Sequence, residues 1–140
     1  MVTADRLLLL LLRVNAAILL AAAPCALLPF AWMDAVHRDL LGLGPLPDAV
    51  ITRYMARSLS LTYALHGAVV LGLTRDWPRY RPFVPYLAGL HVAFGCAIVA
   101  IDLSVGAPWW WAAGEGSSAG YGVVLLFVYR RASRELPGVR

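Results

Sequence analysis

Four long apolar runs, parted by short polar stretches, set the pattern of this chain. The first goes from Leu7 to Leu12 and, after Arg13, from Val14 to Phe30, predicting a helix over about 7–30. After Phe30 the rhythm changes. Trp32, Met33, Val36 and Leu40 alternate at helical spacing with Asp34, His37, Arg38 and Asp39, the mark of a short amphipathic segment, about 32–41, lying in an interface. Gly42, Gly44, Pro45 and Pro47 end it. Pro47 and Asp48 suit the first turn of a second helix, because proline's missing N–H is not needed there and an acid favours the positive end of the helix dipole. That helix is expected over about 47–73. Thr74 to Pro82, TRDWPRYRP, reads as a compact basic turn with Trp77 and Tyr80 as anchors. A third helix follows over about 83–105, Gly106 and Ala107 make a tight connection, and Pro108 opens a fourth helix, about 108–129. The tail from 130 to 140, RRASRELPGVR, is polar and is expected to fray.

Each run reaches the roughly 20 residues that cross a bilayer. Composition agrees, since 61% hydrophobic residues, 14% charged residues and a mean hydropathy of +0.71 lie outside the range of soluble domains. The expected fold class is all-α: an integral membrane four-helix bundle, a single membrane domain spanning 1–140. A secretory signal peptide competes for the first run, because AAAPCALL resembles the small-residue region before a cleavage site. Pro24 directly before Cys25 is a poor lipoprotein cleavage context, however, and Arg13 interrupts the apolar stretch, which favours an uncleaved helix with Arg13 snorkelling to the headgroups.

A net charge of +4 and a pI near 9.5 do not imply nucleic acid, because the charges flank apolar runs and form no basic stripe with interleaved aromatics. They report orientation instead. Arg6, Arg13, Arg75, Arg79, Arg81, Arg130, Arg131, Arg134 and Arg140 fall on one side; Arg38 shares the other with Asp34, Asp39, Asp48 and Asp102. The positive-inside rule then places both termini in the cytoplasm and the amphipathic segment outside.

The stretch RYMARSLSLTYALHG holds the polar residues that most need a reason. Arg53 and Arg57 share a helix face that Ser60, Ala64 and Gly67 continue. A guanidinium at that depth calls for a partner. Asp102 and Glu115 come level with it from the third and fourth helices, so the expected pairs are Arg53 with Asp102 and Arg57 with Glu115. Such pairs either fix helix register or, with His91 and Tyr63, line an outward-facing polar pocket for an anion, a lipid headgroup or a small substrate.

His66 and His91 lie at matching depth on adjacent helices, as a b-type haem or a quinone site would require. Angle opposes that use: His66 is about 180° from Arg57, whereas His91 and Asp102 share a face. The alternative is a histidine hydrogen-bonded to a carbonyl or hydroxyl, with Tyr63 and Ser60 as candidates. Trp109, Trp110 and Trp111, like Trp77, suit an aromatic belt at the interface, with a stacking platform as the other reading. Gly116 and Gly120 form GxxxG within a small-residue cluster, which favours close packing or self-association. Cys25 and Cys96 sit in apolar runs without zinc spacing, and neither a disulfide nor a metal site is expected.

Taken together, ARSLSLTYALHG, RYRP, FGCAIVAIDLSVGAPWWWAAGEG and HRDLLGLGPLPDA resemble an uncharacterised family of small bacterial four-helix inner-membrane proteins, over most of His37 to Gly116. The resemblance implies a multi-pass topology in a bacterial inner membrane and brings no activity with it. No nucleophile and base at recognisable spacing, no phosphate-cradling glycine loop and no metal signature point to catalysis. The expected role is an accessory or scaffold subunit in a homo-oligomer or a larger membrane complex. A binding or transport module built on Arg53, Arg57, Asp102 and Glu115 is the alternative, and a haem- or quinone-linked redox protein the third.

Overall fold

The computed structural model describes residues 3–135, and Arg140 of the expected tail lies outside them. Helices account for every regular element among the described residues. Helix α1 spans Ala4–Leu20, with Asp5 in its first turn. It stops short of the expected Phe30 because Pro24 has no N–H to give the Leu20 carbonyl. The chain tightens instead into a 3₁₀ turn, Ala23–Leu27, in which the Cys25 N–H bonds the Ala22 carbonyl. Pro29 then opens α2, Phe30–Ala35, which widens into a π-helical turn over Val36–Leu40. Gly42 and Gly44 adopt left-handed φ values of 63° and 84°, which a side chain would resist, and turn the chain toward α3.

Helix α3 spans Val50–Leu73. It begins three residues later than the proline pattern suggests, because Ala49 is still extended at φ −128° and ψ 153°. Past a turn that ends at Asp76 come α4, Trp77–Tyr80, a 3₁₀ turn, Arg81–Phe83, and α5, Val84–Ser104. The expected basic turn is thus helical from Trp77 onward, since each of its prolines stands where a helical N–H is dispensable. Gly106, at φ 74°, reverses the chain into α6, Trp109–Glu135.

Two stretches are long and apolar enough to cross a membrane, Ala4–Leu27 and Trp77–Ser104. Arg53 and Arg57 in α3, and Glu115 with the terminal arginines in α6, dilute the other two long helices.

The chain divides into two compact units, with the boundary inside α1. One comprises the residues up to Leu11 and those from Asp76 onward. Here α5 and α6 lie in close antiparallel contact, with Gly95 against Ala119, Gly122 against Ala88 and Val92, and Gly116 against Val99. Gly120 has open space around it, so the residues that α6 presents to α5 are Gly116, Ala119 and Gly122 rather than the GxxxG pair. The expected frayed tail is helical to Glu135 and held: Ala132 is buried and a Glu135 carboxylate oxygen accepts from the Ala4 N–H. The second unit is Leu12–Arg75. In it Gly67 of α3 meets α1 so closely that a Cβ there would lie 2.8 Å from the Ala16 carbonyl oxygen.

Candidate functional site

In the Leu12–Arg75 unit, polar side chains organise the connector between α2 and α3. Asp34 accepts from the Arg38 guanidinium at 2.9 Å and from the Leu46 N–H at 2.7 Å. His37 Nδ1 lies 2.6 Å from the Gly44 carbonyl oxygen. Arg38 also grips Asp39, and that hydrogen bond, aided by the guanidinium charge, holds the Asp39 carboxyl below the ordinary carboxylate range. The segment therefore folds around its own charges and leaves Trp32, Val36 and Leu40 exposed at helical spacing.

The sequence directs Arg53 to Asp102; the acid found on it is Asp48, bonded through Nε and Nη2 at 2.7 and 2.8 Å. The same guanidinium lies 5.2 Å over the Phe30 ring. Asp48 succeeds because it precedes the helix and reaches forward across its first turn, which leaves it no part in capping. Arg57 is exposed on α3. Ser60 bonds the Ala56 carbonyl of its own helix, a local solution open to any helical serine. Tyr63 and His66 lie further along α3, both half-buried.

The other unit holds three polar clusters. Midway along α5, His91 Nδ1 is 3.0 Å from Ser118 Oγ, and its ring meets the Tyr121 ring edge-on at 4.9 Å. The Tyr121 hydroxyl in turn donates to the Leu11 carbonyl at 3.1 Å. His91 thus has a hydroxyl within hydrogen-bond distance, that of Ser118, which the sequence pattern does not single out. Counting back from the Gly106 turn nonetheless brings Ser118 within a helical turn of His91, a signal the sequence contained.

Toward the Gly106 turn, Asp102 is buried, and among the described residues its Oδ2 has no hydrogen-bond partner. Glu115 on α6 lies within electrostatic reach of it. Trp109 is exposed and Trp110 stacks edge-on against Trp111 nearby. At the opposite end, Arg81 bonds Asp5 at 2.9 Å and Ser133 at 3.3 Å, and lies 5.0 Å over the Tyr129 ring. Sequence reasoning treated Arg81 only as a topology signal. Its pairing with Asp5 links residues 76 positions apart, which no local pattern reveals.

Arg53 and Arg57 belong to one unit, Asp102 and Glu115 to the other. Among the described residues no group of three or more His, Cys, Asp or Glu side chains is placed to hold a metal ion. Cys25 and Cys96 are free thiols. Fold and polar clusters together define an all-helical protein with two stretches apolar enough to span a membrane. Comparison with protein-family models, with curated proteins and with solved structures finds no match.

Proposed function

We propose that the chain is a multi-pass helical protein of a bacterial inner membrane. In this reading α1, α3, α5 and α6 form a four-helix bundle with both termini cytoplasmic, and residues 30–40 lie in the outer interface. Its role is that of an accessory or scaffold subunit in a homo-oligomer or a larger membrane complex.

One observation carries the reading: many large apolar side chains lie outside, while alanines join Leu8, Val70 and Leu125 inside. Leu65, Val69, Leu90, Leu103 and Phe127 are each 62–68% exposed, whereas Ala16 and Ala88 are wholly buried. In water, leaving such a large side chain exposed forgoes about 1.5–3 kcal/mol apiece. Hydrocarbon removes that penalty, and small residues at helix contacts are what association in lipid relies on. The polar clusters favour a structural role over chemistry, since Arg53, Arg81 and His91 are each engaged by a neighbouring side chain.

The test is topology and partnership in cells, in a background with Cys25 and Cys96 replaced. Single cysteines at Thr3, Ala49 and Arg134 are reacted with a membrane-impermeant maleimide. Labelling of Ala49→Cys alone in intact cells is expected, with Thr3→Cys and Arg134→Cys reacting after permeabilisation. Opposite sides for the two ends would overturn the topology. Mild crosslinking should yield a discrete larger species, and repeated recovery of a lone monomer would overturn the scaffold role.

A further inference from the structure

Arg79 and Arg81, the last two arginines before α5, are used differently. Arg81 is consumed inside its unit by Asp5, Ser133 and the Tyr129 ring. Arg79 stands outside that cluster: it is exposed, and among the described residues no carboxylate pairs with it. Its guanidinium lies 5.5 Å over the Tyr80 ring. From there ring contacts continue, with centroids 6.2 Å apart for Tyr80 and Phe83 and 6.4 Å for Phe83 and Tyr86. The strip ends in a shallow groove of about 280 Å³ lined by Pro82, Phe83 and Tyr86. Phe83 is 54% exposed and Tyr86 74%, so the groove opens outward.

Along its length the strip is therefore an amphiphile's complement. A guanidinium stacked on an aromatic face is held in place by the ring, while its in-plane N–H groups stay available for two oxygens of one phosphate. The apolar groove a helical turn away offers a wall for a hydrocarbon chain. A soluble anion would leave the groove uncovered. A zwitterionic lipid would bring a cation beside Arg79 and cancel part of the attraction.

We propose that Arg79, Tyr80, Pro82, Phe83 and Tyr86 form a binding site for one anionic phospholipid, its phosphate on Arg79 and an acyl chain along the groove. The site rests on the membrane reading above, which places this end of α5 at the cytoplasmic leaflet. An arginine near an anionic surface contributes a preference of about fivefold for the charged lipid.

Native mass spectrometry of the detergent-purified full chain, titrated with phosphatidylglycerol or phosphatidylcholine, measures that preference. Flotation with phosphatidylcholine vesicles after an alkaline wash measures insertion separately. The wild type is expected to insert, and to bind phosphatidylglycerol about fivefold more tightly. Arg79→Gln should erase the preference. Phe83→Ser with Tyr86→Ser should weaken both lipids and keep it. Arg6→Gln, an exposed arginine in the same unit but outside the strip, should change nothing. A preference that survives Arg79→Gln, or that Arg6→Gln lowers equally, would overturn the site in favour of diffuse charge. Failure to insert at all would overturn the membrane reading instead.

Discussion

Replacing Gly95 by alanine puts a methyl group where α5 and α6 touch. The new Cβ would press on the Ala119 backbone nitrogen, 2.8 Å from the Ala119 Cβ and 3.0 Å from its Cα. Carbon atoms pack at about 3.5–4.0 Å, so the helices must part by about 1 Å. Nothing in the way has a rotamer to turn, because the obstacles are backbone and a methyl. Overpacking of this kind costs about 1–3 kcal/mol. Gly120→Ala on α6 is the matched control, with open space around its Cβ. Both substitutions gain about 1 kcal/mol of helix propensity, which cancels in the comparison, so Gly95→Ala should be the less stable by about 2 kcal/mol. Titration of detergent-solubilised protein with a denaturing detergent, followed by circular dichroism, measures the difference. A Gly95→Ala variant as stable as Gly120→Ala would refute the close contact. The reverse order would restore the GxxxG reading.

Other consequences follow from the polar clusters. Arg81→Gln removes the Asp5 bond, the Ser133 bond and the Tyr129 contact together, and the same unfolding assay should show a loss of about 1–3 kcal/mol; a loss below a few tenths would mean the cluster is ornamental. Ser118→Ala should change the nitrogen chemical shift of His91 Nδ1 while leaving the helix content intact, and an unmoved resonance would contradict the 3.0 Å contact. Asp39 should titrate below the ordinary carboxylate range by NMR, and Arg38→Gln should bring it back. Because its folded pKa is depressed, the pair's contribution is present above the unfolded pKa and lost as pH falls through the folded one. An Asp39 titration that Arg38→Gln leaves in place would break the assignment.

Much of the architecture was legible because prolines and glycines punctuate it. Pro29, Gly42, Gly44 and Gly106 mark the breaks where the backbone has no alternative. The early end of α1 was also written in the chain, at Pro24, but the apolar run around it concealed the missing N–H. Three features were hidden for a common reason: each depends on a partner distant in sequence or on a choice between equivalent partners. Arg53 had several acids at suitable depth by helical geometry, and the nearest in sequence, Asp48, won by reaching across one turn. The last turns of α6 looked like a frayed tail because their anchors, Ala4 and Arg81, lie 131 and 52 positions away in sequence. Ser118 passed as one more small residue in a glycine-rich stretch until the α5–α6 register made it the partner of His91.

The central claim is that the outward side chains of the long helices face hydrocarbon, and spin labels report that environment directly. Labels at Leu65, Leu90 and Phe127, exposed positions on α3, α5 and α6, are read in phosphatidylcholine vesicles for collisions with molecular oxygen and with a water-soluble nickel chelate. The account predicts high oxygen and low nickel accessibility at all three. High nickel accessibility at these positions would contradict it.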